Sequence, residues 1–463
     1  MNANVTFSIG SIALVEKTNA KYNLFDVLFE HVGGKARNLK QTAKLLVVNR
    51  LDKCASVRRI PSIYSKEFFQ ELGFTDVPAE RSTYRNLERL GENFPAILER
   101  YQKLAKVNNL VSAEQFIDFT STYFEGNKNE LSALGYSRDG QPGKKQITLG
   151  VSTGINGIPS ALTVQKGNVQ DKKHFMTTLK TVSKILESNS LLVFDCGGNT
   201  AANKLEIRKR GFHYLTLRQK QREPYKRYIH LFNVLQKQEI ILKNVSYECV
   251  KVFEGECVSY VFFSRKLFEE QLRKKNDKFA RELKKNDGLL LKVARGKDLQ
   301  SFITREGYVV TKGNLQKTLK HIPNPFVTGL EGFFVLESSV DAEPETILCL
   351  YKNRDKVEKL IRDLKEGVEI RPFRHWSKNA VLGCVLVAFL TNCVTSLTRF
   401  LAPNALVSNV KLLKKYLQNL TVTVIYPRNG LRIRLLSNVS PEIKSVLGNF
   451  IHNFGQIAFE TPW

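Results

Sequence analysis

The chain has 463 residues, with 71 Lys and Arg against 44 Asp and Glu, a formal net charge of +27. That excess goes far beyond what solubility requires and points to a polyanionic partner. With 42% hydrophobic and 10% aromatic residues the chain can build packed cores, which excludes disorder throughout, and its length leaves room for roughly two to four domains.

The stretch Met1–Lys17 has no basic segment ahead of its weakly apolar residues, and Asn2, Asn4 and Ser8 interrupt it, so no signal peptide is expected. Up to about residue 110 the apolar spacing is helical: Leu24, Val27 and Leu28 share one face, as do Tyr84, Leu87 and Leu90, then Phe94, Ile97, Leu98 and Tyr101. A helical N-terminal domain over 1–110 follows, and its Arg58, Arg59, Arg81, Arg85 and Arg89 suit either a DNA-end surface or solvated helix faces.

Beyond Gln115 the texture becomes strand-like, with FIDFTSTYF at 116–124, QITLGVST at 146–153 and SALTVQ at 160–165. A helix is expected around Lys172–Ser188, and LLVFD at 191–195 has the continuous apolar character of a strand buried on both faces. Strand, helix, strand predicts an α/β core. Residues 222–330 break the rhythm with strands at 240–242, 247–253 and 257–264 and a charged helical run carrying KKND twice, and read as an inserted module. GFFVLESS at 332–339 returns to a strand, and ETILCLYKNRDKVEKLIRDLKEG at 345–367 predicts one helix ended by Gly367. The apolar run Ala380–Leu390 meets Thr391 and Asn392, so it is expected to be a buried core helix, too short for the ~20 residues of a membrane span. VTVIY, a PRNG turn at 427–430, LRIRLL and a Ser440-Pro441-Glu442 helix start predict a closing hairpin and helix over 401–463. No basic amphipathic membrane helix or lipid anchor is expected.

Seven scattered cysteines without a C-x-x-C pair predict no disulfide framework and a reducing, intracellular compartment. The seven histidines show no H-E-x-x-H and no zinc spacing with cysteine.

Metal-dependent chemistry on nucleic acid needs carboxylates converging from different elements. Asp118 interrupts an apolar strand and Asp195 ends one; each is either a metal-type ligand or a strand-end residue facing solvent. On a continuous helix Tyr351, Arg354, Glu358 and Lys365 fall within an arc of about 60°. Such a face would place an acid beside phosphate-gripping donors, or be an ordinary charged surface. A second basic stretch, Lys204–Arg227, interleaves Arg208, Lys209, Arg210, Arg218, Lys220, Arg222 and Lys226 with Phe212, Tyr214, Tyr225 and Tyr228, a DNA track or a solvated face.

The spacing Tyr351-x-x-Arg354-x-x-x-Glu358 followed by Lys365 resembles the Y-R-E-K signature of DDE-type insertion-sequence transposases. FIDFTSTYFEG around Asp118 resembles their first-aspartate strand and VFDCGG around Asp195 the second; residues 143–175 and RPFRHW at 371–376 are also similar. The resemblance implies an RNase H-like mixed sheet flanked by helices, with a first core part at 111–221, the β-rich insertion at 222–330 and a second core part with the Glu helix at 331–400. It implies that Asp118, Asp195 and Glu358 are catalytic and hold two Mg2+ or Mn2+ ions, and that Tyr351, Arg354 and Lys365 contact DNA ends; Arg218 and Lys220 of the basic stretch are expected as further DNA contacts. It also implies metal-dependent cleavage and strand transfer at terminal inverted repeats, target-DNA binding and a homodimer in the synaptic complex; a nucleoid-associated cytoplasmic location is expected. The alternative is a remnant that binds DNA without cutting it. Relatives that form hairpins stack a flipped base on a tryptophan in the insertion; here the tryptophans are Trp376 and Trp463, leaving Tyr247, Tyr260, Phe262 and Phe263 as substitutes or as core.

Overall fold

The computed structural model describes residues 4–126, 128–294, 324, 326–426 and 433–457. The chain divides into two compact units, one formed by Met1–His213 with Lys352–Trp463, the other by Tyr214–Tyr351. The second is longer at both ends than the 222–330 insertion expected from sequence.

In the first unit, β1 (Val5–Ser8) leads into helices α1 (Gly10–Tyr22), α2 (Leu24–Phe29), α3 (Ala36–Leu51), α4 (Ile60–Ile63), α5 (Lys66–Glu71), α6 (Glu80–Glu92) and α7 (Phe94–Val107). Strands β2 (Glu114–Tyr123), β3 (Gln146–Gly154), β4 (Pro159–Lys166) and β5 (Leu191–Phe194) follow, with α8 (Asp171–Val182) between the last two and α9 (Ala201–Lys209) after them. The order is β4-β3-β2-β5: β2 is antiparallel to β3 and parallel to β5. β3 is buried along its whole length, as a central strand covered on both faces must be. This is the mixed, helix-flanked α/β arrangement expected from the sequence.

The second unit holds nearly all of β6 (His213–Leu217), then α10 (Arg222–Val234), β7 (Gln238–Leu242), β8 (Val245–Glu254), β9 (Cys257–Phe263), α11 (Arg265–Ala294), β10 (Phe333–Ser338) and most of α12 (Pro344–Lys352). Its strands run β6-β10-β9-β8-β7. Tyr225, Tyr228 and Phe232 of α10 pack on Val250, Val252, Val261 and Val335.

Back in the first unit, the single helix expected over 345–367 is broken. α12 ends at Lys352, a tight turn of i+3 hydrogen bonds at Asn353 and Arg354 intervenes, and α13 (Asp355–Arg362) runs into a π turn, Asp363–Gly367, in which Val368 donates to the Asp363 carbonyl. The premise that put Tyr351, Arg354, Glu358 and Lys365 on one helical face therefore fails.

α14 (Lys378–Leu401) is the core helix expected at Ala380–Leu390, but it continues well past Thr391 and Asn392 to 24 residues. It is apolar and long enough to cross a membrane, yet 94% of its most apolar window is buried inside the protein. The hydroxyls of Thr391 and Thr398 donate to carbonyls one turn back, which lets polar residues stay in a buried helix at little cost. α14 crosses α6 where both backbones carry glycine: a Cβ at Gly383 would strike the Leu87 carbonyl, and one at Gly91 the Asn379 carbonyl.

The N-terminal helices are as expected, but they are not a free-standing domain. Tyr101 and Gln102 of α7 donate to the Pro159 and Ser160 carbonyls on β4 at 2.7 and 2.9 Å, and β1 pairs with β11 (Thr421–Ile425) of the closing hairpin. After α14 come α15 (Ala405–Ser408) and α16 (Val410–Asn419), then β11, β12 (Ile433–Ser437), α17 (Pro441–Leu447) and β13 (Gln456–Ile457). Ser440 caps α17 as its S-P-E start predicts. The PRNG turn at 427–430 and Trp463 lie outside the described residues. All seven cysteines are free.

Candidate active site

Asp118 is the one break in the buried run at the heart of β2. Parallel pairing matches Ile117 with Phe194, so Asp118 and Asp195 follow side by side where two neighbouring central strands lead out of the core. Asp195 starts a turn in which its Oδ1 accepts from the Gly197 amide at 2.9 Å. Gly198 is required next, because a Cβ there would press into the Phe175 and Phe194 rings.

α13 packs on β2 and β3 and brings Glu358 and Arg354 to the same place. The Arg354 guanidinium stands 3.5 Å from Asp118 Oδ2 and 3.7 Å from Glu358 Oε1. Arg354 is 12% exposed and Glu358 54% exposed at the side chain, so the arginine lies inside the site and the glutamate at its mouth. Burial pushes the Asp118 carboxyl up to about 6; Arg354 opposes the rise, and the charges of Asp195 and Glu358 add to it. Asp195 and Glu358 thus both bear on the buried Asp118.

The donor set fits a hard divalent cation: three carboxylates from separate elements, one of them held against its preference for the charged form. At present the guanidinium supplies the balancing charge. Among the described residues no three His, Cys, Asp or Glu side chains are grouped so as to hold a metal ion as they stand.

The other expected contacts are placed differently. Lys365, carried by the π turn, gives its ammonium to the buried Asp139 at 2.7 Å. Arg218 in the second unit pairs with Glu254 at 2.9 Å and Glu337 at 3.0 Å, and Lys220 reaches Gln271 at 3.5 Å. Tyr351 is half-buried on α12. Phe212, Tyr214, Tyr225 and Tyr228 are buried, so the aromatic half of the proposed basic track is core. Tyr247, Tyr260 and Phe262 are core as well and offer no exposed ring for a flipped base, and Phe263 packs against Phe232 and Phe333.

Sequence reasoning missed the ion pairs around the site. Arg138 pairs with Asp171, which lies beside the Asp195 turn, and Asp139 takes both Lys365 and Arg371. Nothing in the 125–145 connector signals this, because a lone Arg-Asp-Gly reads as a turn.

Residues 114–392, more than half of the chain, match the transposase DDE domain family, and the chain belongs to that family of DNA-cleaving enzymes. Among solved structures it is similar to the piggyBac transposase in its synaptic complex with hairpin DNA, at 10% identity and a TM-score of 0.44, over 97% of this chain and 84% of that one. No curated protein matches it in sequence.

Proposed function

We propose that the protein binds the terminal inverted repeats of its own element as a homodimer and carries out metal-dependent strand cleavage and transfer there. The observation that carries this reading is that, in a DDE-family chain, the buried Asp118 lies beside Asp195 on the paired strand and shares the Arg354 guanidinium with Glu358 of α13. In it, Asp118, Asp195 and Glu358 hold divalent Mg2+ or Mn2+. Bound there, such ions lower the pKa of a water or a 3′-hydroxyl and stabilise the leaving oxygen of an in-line displacement at phosphorus.

The chain's own residues do the rest. Asp118 and Asp195, fixed on paired strands, set the floor of the site, and Glu358 completes it from a docked helix. Arg354 leaves the carboxylates as a cation enters and turns to the phosphate beside the cut, where a guanidinium can grip two oxygens. Arg81, Arg85 and Arg89, exposed along one side of α6, bind flanking phosphates.

The test is cleavage of a labelled duplex carrying the DNA that flanks the gene, with Mg2+ or Mn2+ against chelator. Cutting at the element end that requires metal supports the proposal. Tight, salt-sensitive binding with no cutting in either metal would contradict it in favour of an end-binding remnant.

A further inference from the structure

Asp139 sits in the connector between β2 and β3 with only 1% of its side chain exposed, and the proposed reaction makes no use of it. Its Oδ1 accepts from the Lys365 ammonium at 2.7 Å and from the Arg371 guanidinium. Two stretches far apart in sequence meet at this one carboxylate: the β2–β3 connector, and the continuous run from the π turn that ends α13 into the segment leading to α14. The Lys365 side chain is itself 11% exposed. A buried ion pair adds little net stability but costs much to break, so its clearest effect is to fix geometry.

Lys365 follows Glu358 by seven residues, about 10 Å along a helix. Val357, Leu360 and Leu364 bury the inner side of this helix and turn, but apolar contact is non-directional and leaves a helix able to roll. The directional ties of the π turn include the Asp139 cluster, the Asp363–Arg399 pair at 2.7 Å, the Lys411–Glu366 pair at 3.4 Å and the Lys414 ammonium on the Gly367 carbonyl at 3.3 Å; of these, the Asp139 cluster alone reaches the β2–β3 connector.

We infer that Asp139 is a positioning residue of the acidic site: by holding Lys365 and Arg371 it sets the seating of α13 and so the approach of Glu358 to Asp118. Lys365 then works through its helix and not as a grip on DNA phosphate. The inference rests on the metal reading above.

The test is a Mn2+ titration of the full chain, followed by the electron paramagnetic resonance of free Mn2+, under conditions where circular dichroism shows every variant folded. Asp139→Ala is expected to weaken Mn2+ binding about tenfold, the loss typical when a partner behind metal ligands is removed. The double variant Asp139→Leu with Lys365→Met, an apolar pair of similar bulk, keeps the packing but loses the directional tie, and is also expected to bind Mn2+ about tenfold more weakly. In parallel, Lys365→Met should leave the log–log salt slope of DNA binding unchanged, whereas removing a cation that grips phosphate would lower it by about 0.9.

A folded Asp139→Ala with unaltered Mn2+ affinity would overturn the inference, as would a lowered salt slope in Lys365→Met. If Asp139→Ala does not fold, the double variant decides: a folded double variant about tenfold weaker supports positioning, and near-native Mn2+ affinity overturns it. Mn2+ binding that is absent from the unmodified protein, or indifferent to Glu358→Ala, would instead overturn the metal reading and this inference with it.

Discussion

At the scale of single residues, the site is organised around a carboxylate kept where its charge is costly. Asp118 titrates at about 6, above the ordinary aspartate value, because it is buried beside two other acids. The folded state then holds its proton more tightly than the unfolded chain does. The ionised group lowers stability above about pH 6, and the cost fades as pH falls towards 4. Asp118→Asn should therefore raise stability at pH 7 by about 1–3 kcal/mol while removing cleavage, read as a higher urea midpoint; a lower midpoint would contradict this. His174 shows the reverse case. It is fully buried between the Thr148 and Thr163 hydroxyls, and burial, helped by the charge of Arg138, pulls its pKa down to about 4. The unfolded chain takes up that proton first, so this contribution is complete above about pH 6.5 and is lost as pH falls to about 4, on the order of 2–3 kcal/mol. His174→Gln should flatten that part of the stability curve, and an unchanged slope would refute the assignment. Asp118 and Asp195 stood out in the sequence because a charged residue is conspicuous in or at the end of an apolar strand, and the strand pairing sets them side by side. Asp139 and Asp171 did not stand out, because a turn-forming aspartate and a helix-start aspartate look alike whether exposed or paired.

At the scale of elements, strands were read well because their period is short and their burial shows in composition. Glu358 was placed on a helix correctly, but the helix was not one piece. Nothing in the apolar spacing of 345–367 marks the turn at Asn353 and Arg354 or the π turn at Asp363–Gly367, since tertiary ties rather than propensity hold them. α14 was cut short at Thr391 for a related reason: single-sequence polarity cannot show that hydroxyls will bond back to their own helix. Its crossing with α6 makes a sharp prediction. Gly383→Ala should lower stability by about 1–3 kcal/mol, because the new methyl meets the Leu87 carbonyl with no flexible atom to yield. Calorimetry would test it, and a variant as stable as the parent would show that the two helices can separate freely.

At the scale of the whole molecule, the net charge of +27, read as the mark of a polyanionic partner, accords with membership of a family of DNA-cleaving enzymes, and the change of rhythm near residue 222 falls close to Tyr214, where the second compact unit begins. The limits of that inserted unit were not legible, because its flanking strands read like core. Nor was the closure of the chain upon itself, since the pairing of Val5–Ser8 with Thr421–Ile425 depends on segments about 400 residues apart. The charge also predicts steep salt dependence of DNA binding. Replacing Arg81, Arg85 and Arg89 together by Ala should reduce the log–log salt slope by nearly 3, about 0.9 for each phosphate no longer neutralised. A slope that does not move would assign those arginines to solvent. The central claim is that three carboxylates from two strands and a helix form one metal-dependent cutting site. Its most direct test compares Glu358→Ala with the unmodified protein on the same end duplex, measuring binding and Mg2+-dependent cleavage together. Retained binding with cleavage abolished is the result expected; cleavage retained in the variant would contradict the claim.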